Sequence, residues 1–275
     1  MSVPRRSKKG TWGGGAAAGG IALLGCAIAS FGALVYFYFS VPAKPVLDPV
    51  SLCPVDGARG VTVVLVDTSD DLKQTTQREV LTILEDQITT LPEYHNLDIR
   101  VLDIAGARSR SLFAKCNPGD GAGLSEWTAN PRIARLQWIE SFMKPAREAV
   151  KSSLASAKAR SSPIMGALQD IALAQFSTRA AQDIPKALIV ISDMLEFTSD
   201  YSQYPSAGDL SYQRFRQSRA YAKFWTDLHG ARITIQYVIR EQPKIDTVRH
   251  MQFWREWIAD NKGTFVIMHR LQGAN

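Results

Sequence analysis

Histidine is scarce in this chain: four in 275 residues, at His95, His229, His250 and His269, with none of the paired spacing that a zinc site needs. Each reads as a surface or internally satisfied side chain. No Gly-x-Gly-x-x-Gly or Gly-Lys-Ser/Thr loop occurs, which removes the usual phosphate cradles of nucleotide enzymes. No Gly-x-Ser-x-Gly elbow occurs, which removes serine hydrolysis by that route. Three cysteines are too few for a disulfide framework. Internal repeats are absent, and the only compositionally biased stretch is a glycine-alanine run before residue 20.

An excess of basic charge is also missing where it would matter. The formal charge is +6, but Arg5, Arg6, Lys8 and Lys9 precede every acidic residue, and taking those four from the 32 bases leaves 28 against 26 acids. A folded part so close to neutral is no polyanion-binding domain, so no nucleic-acid partner is expected. An apolar fraction of 45% with 21% charged residues is that of a folded chain.

One long charge-free run stands out. Residues 20–41, GIALLGCAIASFGALVYFYFSV, are 22 residues without a charge, enough to cross roughly 30 Å of hydrocarbon as a helix. The preferred reading is a transmembrane helix ending in an aromatic belt at Tyr36, Phe37, Tyr38 and Phe39. Leu23-Leu24-Gly25-Cys26 loosely resembles a lipoprotein cleavage box, and a cleaved signal peptide is a second alternative, though the run exceeds the usual apolar core of one. The bases before it, RRSKK, outnumber Lys44 and Arg59 after it. That places residues 1–19 as a cytoplasmic tail and the large domain on the far side, which in a bacterium is the periplasm, with the anchor in the inner membrane. Cys53 and Cys116 would face an oxidising compartment there, as one disulfide or as two free thiols.

Residues 42–60 contain four prolines and no periodicity and read as a spacer. The folded domain is expected over 61–270. VTVVLV at 61–66 is a buried strand, and apolar positions at Leu72, Val80, Ile83, Leu84, Ile88 and Leu91 mark a helix over 71–91. Strand 97–105, a loop to Asn130, and a helix carrying Ile133, Leu136, Ile139, Phe142 and Met143, broken near Pro145, follow. Helix 163–177, strand 187–192, helix 211–229, strand 232–239, helix 246–261 and strand 264–268 complete the pattern. Such alternation predicts an α/β fold: a mostly parallel, doubly wound sheet flanked by helices. Phe253, Trp254, Trp257 and Ile258 form a stripe expected to face the core.

Ligand sites in open α/β sheets lie beyond the carboxyl ends of the strands. Three sequence positions answer: Asp67-Thr68-Ser69-Asp70-Asp71 after the first strand, Ser161-Ser162-Pro163 before helix 163–177, and Asp193 after strand 187–192. Taken singly, Ser162, Asp70 and Asp71 are ordinary helix caps. Taken together, their oxygens suit Mg²⁺, Mn²⁺ or Ca²⁺.

The order of these residues resembles the metal-ion-dependent adhesion site of von Willebrand factor A (VWA) domains. That pattern has Asp-x-Ser-x-Ser after the first strand, a Thr before a later helix, and an Asp after the following strand. Asp67 and Ser69 match the first two positions, Ser162 stands at the Thr and Asp193 at the last Asp. Asp71 replaces the second serine, and Met194 replaces a glycine that often follows the last Asp. The resemblance, which spans 61–268, implies a metal set of Asp67, Ser69, Asp71, Ser162 and Asp193 and a partner protein bound there. If Asp71 binds the metal, its charge weakens the pull on an incoming carboxylate; without a cation, Asp67, Asp71 and Asp193 repel one another. The chain is thus expected to be a membrane-anchored, non-enzymatic interaction module. The competing expectations are a membrane-tethered metal hydrolase and a structural envelope component with a dead metal site. An aspartyl phosphatase, resembling Asp-x-Asp, is disfavoured by Ser69.

Overall fold

The computed structural model describes residues 14–40, 44–69, 73–103, 108–124, 130–154, 161–204, 210–239 and 245–271. The chain divides into two compact units, Met1–Pro45 and Val46–Asn275.

The first unit contains helix α1, Gly14–Ser40. No charged residue falls in it, and its apolar side chains are solvent-facing, among them Leu23, Ile28, Phe31 and Phe39 at 65–80% exposure or close to it. Among the described residues no helix is long and apolar enough to cross a membrane. The helical backbone of α1 is continuous over 27 residues.

The second unit is built on strands β1 (Gly60–Val66), β2 (His95–Asp103), β3 (Arg108–Cys116), β4 (Lys186–Ser192), β5 (Arg232–Val238) and β6 (Thr264–Leu271). They form one sheet in the order β3-β2-β1-β4-β5-β6. All neighbours are parallel except β2 and β3. The strands at its centre carry valine, isoleucine and leucine on both faces, as a strand covered on both sides must. In β1, Val61, Val63 and Leu65 join one core cluster and Val64 and Val66 the other.

Helix α2 (Gln74–Thr90) buries Val80, Leu84 and Ile88 on the second cluster, at the i, i+4, i+8 spacing of one helical face. The expected helix around Pro145 is α3 (Pro131–Trp138), one wide π turn over Ile139–Met143, and α4 (Lys144–Leu154). The wide turn ends two residues before Pro145, whose ring and missing N–H would disturb a regular ladder. On the other face lie α5 (Ile164–Ile171), α6 (Tyr212–Arg216), α7 (Arg219–Phe224) and α8 (Thr247–Asp260). The predicted stripe on α8 is core: Phe253, Trp254, Trp257 and Ile258 are all at most 1% exposed.

Two expectations need correction. The segment 107–130, read as loop, contains the antiparallel edge strand β3; its buried positions Ser109, Phe113 and Cys116 are diluted by Arg108, Arg110 and Lys115 on the open side. The single helix expected over 211–229 is two short ones, because Gln217 and Ser218 interrupt it and Trp225 turns extended.

Cys53 and Cys116 are disulfide-bonded, closing 63 residues of sequence between the segment before β1 and the end of β3. The same segment is stitched by Val55 N–H to the Val46 carbonyl and Cys116 N–H to the Ser51 carbonyl. A loop of that size restricts the unfolded chain by up to about 4 kcal/mol. Replacing Cys116 by Ser is expected to lower unfolding free energy by about 2–4 kcal/mol in urea titrations under non-reducing conditions; a change below about 1 kcal/mol would show that the bridge adds little to the backbone pairing around it.

Candidate functional site

The chain leaves β1 for β2 on one side, then returns from β3 to β4 on the other side of β1. The crevice at the carboxyl ends of β1 and β4 is therefore the point where strand order reverses, the place in such sheets where the flanking connections diverge and leave room for a ligand. Asp67 follows β1 directly, its N–H still bonded to the Ile191 carbonyl at 2.9 Å, and Ser192 and Asp193 end β4. Parallel register thus sets these residues side by side.

Asp67, 7% exposed, is the hub. Its Oδ1 accepts the Ser69 N–H at 2.9 Å. Its Oδ2 accepts the Ser192 hydroxyl at 2.7 Å and the Ser162 hydroxyl at 3.3 Å. Ser162 is not the N-cap that its sequence position suggests: residue 163 precedes α5 without a side-chain cap bond. Ser162 instead exchanges two backbone hydrogen bonds with Phe197, at 2.9 and 3.0 Å, and so aims its side chain at Asp67. Asp193, 4% exposed, accepts the Leu195 N–H on Oδ1 at 3.0 Å. Ser69 is 2% exposed, and its Oγ has no hydrogen-bond partner among the described residues. A buried hydroxyl left so costs about 1–3 kcal/mol.

Four of the five predicted positions, Asp67, Ser69, Ser162 and Asp193, belong to the described carboxyl edge, and Asp67 bonds directly to Ser69 and Ser162. The fifth, Asp71, lies outside the described residues, as does Asp70. Ser192 was not anticipated. It donates to Asp67 and accepts the Met194 N–H at 2.7 Å, tying the first carboxylate to the turn after the second. Its only sequence signal is a hydroxyl at the end of an otherwise apolar strand.

Met194 has φ +60°, a left-handed conformation that glycine adopts freely and a long side chain does not. A buried polar cluster holds it there. Trp254 Nε1 donates to the Met194 carbonyl at 2.8 Å, and His250 Nε2 lies 3.0 Å from the same oxygen and 3.2 Å from Gln203 Oε1. Two acceptors facing Nε2 assign the ring proton to that nitrogen; Nδ1 then accepts from the Tyr237 hydroxyl at 3.1 Å. Trp254 Nε1 is also 3.0 Å from His250 Nε2, but two donors cannot bond each other, so the indole proton goes to the carbonyl. His250 is fully buried, and burial lowers its pKa to about 4.

Glu196 lies three residues beyond Asp193 and is fully buried. Its Oε2 accepts the Met165 N–H at 2.8 Å in the first turn of α5, and its own N–H donates to Gln203 Oε1 at 3.0 Å. Burial raises its pKa to about 8, against the Met165 and Ile164 amides; the charge of Asp67 adds to the rise. Glu196 is therefore mostly protonated at pH 7.

Only oxygen donors meet here. Among the described residues no group of three or more His, Cys, Asp or Glu is placed to hold a metal ion, so a cation would depend on two carboxylates and on hydroxyls. The unpartnered Ser69 Oγ beside Asp67 fits such a role, and hard oxygen ligands fit Mg²⁺, Mn²⁺ or Ca²⁺ better than softer metals.

A mostly parallel six-stranded sheet covered by helices, with Asp67 and Asp193 following the two strands at its switch point, is a doubly wound α/β fold. No family model and no curated protein matches the chain. Among solved structures it is similar to the conserved hypothetical protein BatB from Bacteroides thetaiotaomicron, at 13% identity over 78% of this chain and 91% of that one, with a TM-score of 0.41. An aerotolerance-related membrane protein from Bacteroides fragilis matches at 12% identity over 76% and 91%, with a TM-score of 0.34. The SpRpn10 VWA domain matches at 9% identity over 79% and 91%, with a TM-score of 0.37.

The two buried titrating groups pull stability in opposite directions. His250, depressed to about 4, binds fewer protons folded than unfolded, so it makes stability rise with pH between about 4 and 6.5. Glu196, raised from 4.5 to about 8, holds a proton that the unfolded chain releases, so it makes stability fall between those values. Above pH 6.5 only Glu196 acts. Stability of the metal-free chain is expected to drop by about 2 kcal/mol between pH 6.5 and 8 in denaturant titrations, and Glu196→Gln is expected to flatten that fall. An identical slope in the variant would mean that Glu196 is already ionised in the native state.

Proposed function

We propose that this chain is a non-enzymatic, membrane-anchored protein-interaction module that receives a partner protein at the carboxyl edge of its sheet, with a divalent cation held by Asp67, Ser69, Ser162 and Asp193. The observation that carries this reading is the convergence of Asp67, Ser69 and Ser162 at the switch point, where Asp193 follows β4, with the buried Ser69 oxygen lacking a hydrogen-bond partner among the described residues. A bound cation would neutralise the carboxylates and offer a partner's oxygen a place to bind. The protein's own part is to hold the donors: β1 and β4 set Asp67 beside Ser192, Phe197 aims Ser162, and Met194 with its buried clamp fixes the turn after Asp193. Asp71, in place of a serine, would add a negative charge, favouring the cation and weakening its pull on a partner carboxylate.

Calorimetric titration of Mg²⁺, Mn²⁺ and Ca²⁺ into the full-length chain in neutral detergent is expected to show saturable binding by at least one ion, and loss of at least tenfold in affinity in both Asp67→Ala and Asp193→Ala. No binding to the wild-type chain would retire the cation and leave the rim alone as the partner surface. Cation-dependent turnover abolished by Asp67→Ala would replace the module with a hydrolase.

For the anchor, support comes from the uncharged sequence of α1 and its outward apolar side chains. In lipid, a helix whose backbone groups are bonded within itself can expose such side chains on every face. The amino-terminal bases assign the tail to the cytoplasm and the sheet domain to the periplasm of a bacterial inner membrane, where the Cys53–Cys116 bridge would persist. The full-length chain is expected to stay with membranes through alkaline carbonate extraction, and removal of residues 14–40 to release it. Release of the intact chain would sink the anchor.

A further inference from the structure

The edge of the sheet opposite the candidate site, where β4 begins, holds a cavity of about 440 Å³. It is lined by Arg179, Lys186, His229, Gln182, Ser177 and Thr178, with Phe176 as its apolar wall. No acidic side chain contributes. Three separate elements supply the basic groups: Arg179 opens the short 3-10 turn Arg179–Ala181, Lys186 starts β4, and His229 sits in the turn before β5 with φ +50°. Arg179 and Lys186 come from neighbouring elements and His229 from a distant turn, so these charges are not the solvated face of one helix.

How each group is engaged defines what can bind. Lys186 Nζ donates to the carbonyls of Gln182 and Ile184 at 3.2 and 3.3 Å. Those contacts hold the ammonium in place without cancelling its charge and leave one of its three protons for a ligand. No ion pair or side-chain hydrogen bond of the Arg179 guanidinium is formed among the described residues. Asp227 is the carboxylate nearest to His229 on its own turn, but Lys262 holds it at 2.6 Å, and the His229 ring nitrogen is 3.9 Å away. The cavity is left with a net positive field and free N–H donors. Thr178 also lines a second cavity of about 220 Å³ whose walls include Val61, Ala114, Ala181 and Ile184. An anionic head in the first space would meet an apolar one beside it.

We infer that this cleft is a second ligand site, which takes a phosphoryl group through Arg179, Lys186 and His229. A planar guanidinium engages two oxygens of one phosphate, and an ammonium adds a point charge. Carboxylates carry less charge and fewer acceptors, and a volume of 440 Å³ exceeds what a halide fills. The phosphoryl group could belong to a soluble phosphate compound or to a lipid headgroup; its recognition chemistry is the same.

Two arms separate those sources. In neutral detergent, the full-length chain is titrated with pyrophosphate by calorimetry, at 50 and 300 mM salt. In nanodiscs of phosphatidylcholine, with or without phosphatidylglycerol, amide hydrogen exchange is followed over residues 177–182. The expected result is saturable 1:1 binding of pyrophosphate, or protection of 177–182 only with phosphatidylglycerol. Either is weakened at least tenfold, or lost, in Arg179→Gln/Lys186→Gln, with the unfolding midpoint of that variant within a few degrees of wild type. His229→Asn, which tolerates the left-handed turn, is expected to weaken binding three- to tenfold and serves if the double variant does not fold. Asp67→Ala is expected to bind pyrophosphate as wild type does, so this site and the proposed cation site stand or fall separately. Absence of a response in both arms, or equal binding by wild type and the folded basic-residue variants, overturns the inference.

Discussion

The parallel pairing of β1 with β4 is the constraint on which the rest of the molecule depends. Register Val66 to Ile191 sets the end of one strand against the end of the other, and because the chain comes to these neighbours from opposite directions along the sheet, no single helix can cover both ends. A polar crevice follows from topology alone. Its floor is apolar: Val64, Val66 and Ile191 lie at or below 1% exposure, so a carboxylate placed directly after them is held in a medium where its hydrogen bonds are strong and the lack of one is costly.

Asp67 answers that cost with three donors, and one of them, Ser192, passes the constraint on. By accepting the Met194 N–H it fixes the residue whose strained backbone turns the chain away from β4. Backbone strain of this kind, of the order of 1–3 kcal/mol, persists only where surrounding structure over-determines it. Here Trp254 and His250 reach the Met194 carbonyl from α8, 60 and 56 residues later in the sequence. The geometry after Asp193 is thus set by the core, not by the loop itself.

Most of this fold was legible because its signals are local. β-Branched runs marked the central strands, and a period of 3.6 marked α2 and α8, whose aromatic stripe is buried as its spacing implied. The edge strand β3 was not legible because it buries only some positions on each face, and its arginines and lysine read as loop. At the site, Asp67, Ser69, Ser162 and Asp193 could be named because strand ends and helix starts advertise them. The clamp could not: His250 looks like any isolated histidine in sequence, and only folding brings it against Tyr237, Gln203 and Met194. Glu196 gives no signal either, since a glutamate past a strand end is ordinarily a solvated one. Ser162 shows the opposite failure, a good cap sequence whose hydroxyl the tertiary structure takes for Asp67 instead.

The clamp and Glu196 also limit the charge that gathers in a crevice with so many buried oxygens. Protonation of Glu196 removes one negative charge from the neighbourhood of Asp67, and among the described residues the side chains bonded to Asp67 are serine hydroxyls. A neutral His250 adds hydrogen bonds without adding a charge that would need a counter-ion. Each choice lowers the electrostatic cost of burying the Asp67 carboxylate. The crevice's described donors are positioned by the β1–β4 strand register and by neutral hydrogen bonds, and donors held in place beforehand reduce the ordering that a ligand's binding free energy must offset.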